Sequence, residues 1–378
     1  MTDKRYDLAV VIHSLKIGGS ERFTVNLVNG WVNQGNRLLL ILLESDNPLL
    51  SLLDPRVEVR VLNRKFRYDL TLSFRIQQIL SAHSVEKVFC VEPYSFFLTR
   101  LASTFRLDNR KYFLSLHHSA PIKVGKYVMD IFFLRWFKKK DHVFFICANQ
   151  QICFREKYHF HPSKHTIIYN GIDTSFFSPE KIRCQLTALQ RNWRQYFDIK
   201  DHEQVIVMVG RISPEKGQRY AIEALSILHK AFEIQAHLVI IGEGELALVR
   251  GLKERVNTFR LESYIHFADA QKEVRPFLLT SNLFTLTSVS ETFSLAALEA
   301  LSMGLPVSLT DVGGAKELIR HEQLGSLSRS MDPQSIAASW ASILKRKSDR
   351  TFIRKWTIDH HREEDMVAAY VERLDLNQ

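Results

Sequence analysis

The apolar residues of this chain gather in short β-rich runs, and between the runs they return at every third or fourth position. Strands are expected over Leu8–His13, Arg37–Leu43, Val57–Leu62, Lys87–Val91, Tyr112–Leu116, His142–Ala148 and His165–Tyr169. A second series covers Val205–Val209, His237–Ile241, Tyr264–Phe267, Asn282–Leu286 and Leu305–Leu309. The helical period is plain in ERFTVNLVNGW, where Phe23, Leu27 and Trp31 share one stripe, and in Tyr220–Leu228. Strands alternating with such helices predict an α/β fold with mostly parallel sheets.

The two halves start alike. Leu8–His13 leads through SLKIGGS into a helix, and Val205–Val209 leads through GRISPEKGQ into another. Strand, glycine-bearing loop and helix amino terminus together form the device by which α/β folds bind anions. Two such units predict two Rossmann-like domains facing one cleft. At 378 residues the chain is also too long for one ordinary core. The expected domains are residues 1–175 and 176–355, with a C-terminal helix in 356–378 packing back on the first. The linker is expected in NGIDTSFFSP, Asn170–Pro179, with a structural role for Asn170, Gly171 and Asp173. Ile241-Gly242-Glu243-Gly244 reads as a turn without chemistry, since no dinucleotide fingerprint follows it, and no Walker lysine motif occurs.

Composition narrows the class. A hydrophobic fraction of 46% with 24% charged residues indicates a globular chain. The start, MTDKRYDLAVVIHS, lacks the apolar core of a secretory signal, and no apolar run approaches the roughly 20 residues of a membrane span. Cys90, Cys147, Cys153 and Cys184 show no Cys-x-x-Cys or metal-ligand spacing, so reduced thiols in a cytosol are expected. The net charge of +10 is uneven: residues 1–178 hold 25 Lys or Arg against 15 Asp or Glu, and the remainder 26 against 26. Without a nucleic-acid-binding signature, the excess points to an anionic membrane surface or a phosphate-bearing substrate. Residues 121–142, PIKVGKYVMDIFFLRWFKKKDH, concentrate it: six bases interleave with Tyr127, Phe132, Phe133, Trp136 and Phe137. If helical, this segment suits an interfacial surface on anionic lipid, or else a core helix with a basic rim.

Candidate chemistry lies mainly in the second half. Arg211 and Lys216 flank a Ser-Pro turn after a buried strand, where a guanidinium fork and an ammonium suit a diphosphate; a solvated loop with Lys216 paired to Glu215 or Glu223 is the alternative. SVSETFSLAALEALSMGLPVSLTD places Glu291 at a helix entrance, where it also suits the helix dipole. Glu299 shares its face with Leu295 and Met303, and a carboxylate on so apolar a helix requires hydrogen-bond donors.

VGRISPEKG, IIGEGE, the Glu291-to-Glu299 element with its Gly-Leu-Pro-Val continuation, and YNGIDTSFF together resemble the retaining glycosyltransferases of family 4, with the GT-B fold. The resemblance covers most of the chain and is most specific in the second half. It implies an N-terminal acceptor domain and a C-terminal donor domain. The expected reaction moves a hexose or N-acetylhexosamine from a nucleotide sugar, UDP-linked, to a glycan or lipid-linked acceptor, with retention. By the same resemblance Arg211 and Lys216 neutralise the diphosphate without a metal or other cofactor. Glu299 accepts from the ribose hydroxyls, Glu291 reaches the donor sugar, and the N–H groups of Phe293, Ser294 and Leu295 open the helix toward the donor. Gly18 and Gly19 admit the diphosphate to the backbone, and a strand-end histidine, His117 with His118 as rival, stands at the reaction centre. The setting implied is the cytoplasmic face of a membrane, as in polysaccharide or lipopolysaccharide synthesis, with no nucleic acid as partner. A nucleotide-sugar epimerase of the same fold and a catalytically silent membrane-binding relative are the alternatives.

Overall fold

The computed structural model describes residues 5–103, 108–119, 124–185 and 193–376. Residues 121–123 of the basic segment and 377–378 of the last expected helix lie outside them. The chain divides into two compact units, residues 1–170 with 363–378, and residues 171–362.

In the first unit, parallel strands β1 (Leu8–Ile12), β2 (Leu38–Leu42), β3 (Glu58–Val61), β4 (Lys87–Val91), β5 (Lys111–Leu116), β6 (His142–Phe145) and β7 (His165–Ile167) form one sheet. Their order is β3-β2-β1-β4-β5-β6-β7. Every residue of β1 and β2 is buried, because helices cover both faces of the sheet. One face sets Val10, Phe89 and Phe144 against helix α1 (Gly19–Asn33) and the C-terminal helix Glu363–Leu374. The stripe of Phe23, Leu27 and Trp31 lies inside this layer beside Tyr370. Gly30 lets the two helices close, since a Cβ there would stand 2.6 Å from Val367 Cγ2. The opposite face sets Val11, Cys90 and Leu114 against α2 (Thr71–Ala82), α3 (Pro93–Ser103), α4 (Val124–Leu134) and α5 (Ala148–Lys157).

The second unit repeats the plan with β8 (Gln204–Val209), β9 (Ala236–Ile241), β10 (Ile265–Phe267), β11 (Leu283–Leu286), β12 (Val307–Thr310) and β13 (Gly325–Ser328). Their order is β10-β9-β8-β11-β12-β13, again all parallel. Helix α6 (Gln218–Ala231) follows β8, and α7 (Leu295–Ser302) follows β11. In each unit the chain reverses its direction across the sheet beside the first strand: β1 lies between β2 and β4, and β8 between β9 and β11. Such a reversal sends the connections on its two sides to opposite faces and leaves a crevice at the carboxyl ends of the flanking strands.

One expected strand ends early and one strand was not expected. The strand expected over His142–Ala148 stops at Phe145, because Cys147 caps α5 through its Sγ and Gln150 Oε1 accepts the Ile146 N–H. Strand β13 has no β-rich sequence; its GSLS pairs at the edge with β12, where Gly325 approaches Val307 so closely that a Cβ would stand 1.9 Å from the carbonyl oxygen. The aromatics of the basic segment mostly face inward: Phe133 is buried, Tyr127, Trp136 and Phe137 pack on the core, and Phe132 is exposed. Among the described residues no helix is long and apolar enough to cross a membrane.

The turn carrying Lys138, Lys139 and Lys140 is anchored by a buried ion pair. Asp141 accepts from Arg100 Nη2 at 2.7 Å and Nε at 3.1 Å, and from the Lys138 N–H at 2.8 Å. Burial pushes the Asp141 carboxyl up in spite of these donors, so attraction offsets only part of the desolvation. Asp141→Ala leaves a guanidinium buried without its partner and is expected to cost about 3–5 kcal/mol. Joint Arg100→Met and Asp141→Leu substitution should recover most of that loss; urea unfolding of the three proteins checks both expectations.

Candidate functional site

Arg211 and Lys216 follow β8, and Glu291 follows β11, so the three charged residues rise from the two strands that flank the reversal of the second sheet. Arg211 is exposed on the loop after β8, its backbone carbonyl accepting from Gln218 Nε2 at 3.0 Å. Lys216 Nζ lies 2.5 Å from Glu291 Oε2, with side-chain exposures of 25% and 24%. Glu291 Oε1 accepts from the Thr292 N–H at 3.2 Å, and Glu223 is engaged with Arg255 at 2.5 Å.

The backbone dictates this pairing. The Val289 N–H donates to the Glu215 carbonyl at 2.8 Å, and Thr287 Oγ1 to the Gly217 carbonyl at 2.9 Å. Gly217 has φ +66, and a Cβ there would meet the Thr287 carbonyl oxygen at 2.2 Å. On its other side the Glu291 loop is held by the Gly314 N–H, which donates to the Thr292 carbonyl at 2.6 Å. Gly242 and Gly244 pack against Gly210 and Ile212, where the Ile212 N–H donates to the Glu243 carbonyl at 2.7 Å. With Ile212, Lys253, Phe267 and Asp269 these glycines line an open hollow of about 330 Å³.

Helix α7 begins at Leu295, later than expected, and Ser294 is its cap: Ser294 Oγ accepts from the Ala297 N–H at 3.2 Å. Phe293 therefore belongs to the loop, with its ring buried 5.6 Å from that of His361. Glu299 is half-buried on the same side as Leu295, while Ala297, Leu298, Ala300 and Leu301 are buried. Its charge is thus less enclosed than the apolar sequence around it suggests.

The reversal of the first sheet carries a different set. Gly18 caps α1 in extended backbone, where an added Cβ would stand 2.3 Å from Glu21 Oε2. At Gly19 a Cβ would meet nothing within 4 Å. The fold thus leaves Gly19 open, while at Gly18 the Glu21 carboxylate takes up the space of a side chain. His117, just past β5, has Nε2 2.9 Å from Ser115 Oγ and its ring 4.3 Å from that of Phe23 on α1. Burial pushes its pKa down to about 4. His118 pairs with Glu92 through Nδ1 and lies 3.0 Å from Asp130 Oδ2 through Nε2. Burial disfavours its charge, but the two carboxylates outweigh that and push its pKa up to about 9. The doublet is divided into one neutral and one charged ring.

The model for the Glycosyltransferase Family 4 domain matches residues 17–176, and that for Glycosyl transferases group 1 matches residues 190–357. The chain belongs to the family 4 glycosyltransferases. An E. coli relative of this family 4 chain, "UDP-Gal:alpha-D-GlcNAc-diphosphoundecaprenol alpha-1,3-galactosyltransferase", is 30% identical over 181 residues, 47% of this chain and 44% of the relative. An uncharacterized glycosyltransferase of Methanocaldococcus jannaschii is 30% identical over 190 residues, 50% of this chain and 46% of the relative. The chain spans about half the length of the curated relatives it matches. Anabaena HepE in complex with UDP and glucose superimposes with a TM-score of 0.82 at 19% identity, over 98% of this chain and 100% of that one. The likeness shows the GT-B fold.

Sequence reasoning missed Glu92, Asp130 and Gly217. Glu92 had a signal, as a carboxylate directly after a β-rich run and before Pro93; Asp130 had one as the lone acid among the bases of residues 121–140. Gly217 is expected to tolerate no side chain. Gly217→Ala combines a left-handed backbone, which costs more than about 1 kcal/mol for alanine, with the clash at Thr287. A lowered Tm in thermal unfolding, together with a weaker nucleotide-induced rise in Tm, checks this.

Proposed function

We propose that this family 4 member transfers a hexose or N-acetylhexosamine, with retention, from a UDP-sugar to a glycan or lipid-linked acceptor at the inner face of a membrane. The observation that carries the reading is the set of Arg211, Lys216 and Glu291 on the reversal of the second sheet, stitched together through Gly217. Similar structures that hold UDP or UDP-glucose support the donor class, and the E. coli relative's diphosphoundecaprenol-linked substrate supports the acceptor class.

In this reading Arg211 and Lys216 take the charge of the departing diphosphate, and no metal is required. Lys216 is shared between Glu291 and phosphate, which fixes the ammonium before the donor arrives. The acceptor hydroxyl attacks the anomeric carbon from the face the diphosphate leaves, a phosphate oxygen takes its proton, and the bond to the diphosphate breaks. Glu299 holds the ribose, Glu291 a sugar hydroxyl, and the hollow beside Gly244 and Asp269 suits the base. Membrane association rests on the bases rather than the aromatics: Lys126, Arg135, Lys138, Lys139 and Lys140 are exposed, together with Val128 and Phe132.

Arg211→Ala and Lys216→Ala are each expected to weaken UDP binding, with activity surviving EDTA. Glu299→Gln weakens charge-assisted bonds to ribose by about 1–3 kcal/mol and should impair binding of bare UDP. Glu291→Gln should spare UDP and damage transfer, since it releases Lys216 rather than removing it. Calorimetric UDP titration and a transfer assay separate the roles; equal losses of UDP affinity in both glutamate variants would refute the assignment.

Each base near an anionic surface contributes about 1 kcal/mol, screened over about 8 Å at physiological salt. The protein is therefore expected to sediment with anionic vesicles at low salt and to leave them at high salt. Joint replacement of Lys138, Lys139 and Lys140 by Gln should weaken that binding and leave UDP affinity unchanged.

A further inference from the structure

Glu92, directly after β4 at the reversal of the first sheet, holds two neighbours at once. Its Oε1 accepts the His117 N–H at 3.0 Å, and its Oε2 pairs with His118 Nδ1. The other ring nitrogen of His118 lies 3.0 Å from Asp130 Oδ2 on α4, in an ion pair bent away from ideal hydrogen-bond geometry. A neutral imidazole carries one N–H, so one of these carboxylates would face a nitrogen lone pair. With a proton on both nitrogens, each carboxylate meets positive charge. His118 is thus an imidazolium between two carboxylates, its side chain 15% exposed and that of Asp130 6%.

The surroundings fix this group from several elements. Gln150 of α5 donates to the carbonyls of Leu116 and His118 at 2.9 and 2.8 Å. Tyr158 donates to the Ser119 carbonyl at 3.2 Å, and the Phe154 ring lies 5.6 Å from His118. Lys126 of α4 opposes the imidazolium and favours the Glu92 carboxylate. Cys153 and the phenols of Tyr127 and Tyr158 face the same corner from α4 and the end of α5. The backbone of Glu92 has φ +74, and its N–H extends the β4–β5 pairing to the Ser115 carbonyl at 2.9 Å. A left-handed conformation persists at such a residue only where its surroundings over-determine it.

We propose that Glu92, His118 and Asp130 are positioning residues for sugar transfer, a carboxylate–imidazolium–carboxylate triad that fixes the His117 main chain and thereby aims its ring. This rests on the reading that His117 faces the donor sugar. Held against Phe23 and Ser115, the His117 ring is neutral at pH 7 and suits a sugar hydroxyl rather than the diphosphate. Glu92, in spite of burial, is held down to about 2 by His118, so the ion pair persists across the working pH range.

The pKa of His118 is raised, so the triad is complete below it and lost as pH rises through about 9. Glu92→Gln and Asp130→Asn each remove an anion and should bring that loss to lower pH by about one pH unit or more.

The experiment is imidazole 15N NMR of the full-length protein against pH, with ring signals assigned through His117→Asn and His118→Asn. His118 is expected to be doubly protonated at pH 7 and His117 neutral; a neutral His118 at pH 7 overturns the triad. This titration needs no substrate, so it decides the triad even if the chain transfers no sugar. In transfer assays, Glu92→Gln and Asp130→Asn should lower kcat about tenfold or more with KM for the nucleotide sugar within about twofold, and move the alkaline limb of kcat to lower pH. An unmoved limb in both variants, or full kcat in His117→Ala, overturns the positioning role.

Discussion

The reversal of strand order beside β1 and beside β8 is the constraint on which the rest depends. Parallel strands joined by right-handed crossovers put their connecting helices on one face while the chain advances one way and on the other face after it turns. At the turning point no helix closes over the carboxyl ends of the flanking strands. In the second sheet those ends release Arg211, Lys216 and Glu291; in the first, the loop to Gly18 and Gly19, then Glu92, with His117 one strand further.

The two reversals share geometry and differ in chemistry. The second is built by backbone: glycines at 217, 242, 244 and 313 let neighbouring loops touch where a Cβ would collide with a carbonyl oxygen. Backbones fixed in this way bring Lys216 and Glu291 together without a further cost of ordering the loops that carry them. The first is built by side chains, with Glu92 and Asp130 balancing one imidazolium and Gln150 tying the following carbonyls. Removing a member of that set leaves a charge enclosed, whereas altering a glycine of the second displaces a loop.

Much of this was legible in the chain. Runs such as Leu38–Leu42 and Ala236–Ile241 are fully buried strands, and the Phe23, Leu27, Trp31 stripe faces the core as its period requires. That Arg211, Lys216 and Glu291 stand on loops beyond two apolar strands was also readable, whereas the roles expected of them came with the family resemblance. Illegible were features that depend on distant partners. β13 exists because β12 offers an edge; Phe133 is buried because α3 lies beneath it, while Phe132, its neighbour in sequence, is exposed.

The sequence by itself determined the alternation of strands and helices, the repeat of strand, glycine loop and helix in each half, and the concentration of positive charge before residue 179. Those properties are local or additive, and hydrophobic periodicity and composition carry them without reference to the fold. Only the tertiary structure decided that Lys216 pairs with Glu291, 75 positions away, that Ser294 caps α7, and that His117 is neutral while His118 is charged. Charge state and pairing depend on distances between groups remote in the chain, and on how much water each has lost, which no local pattern of residues encodes.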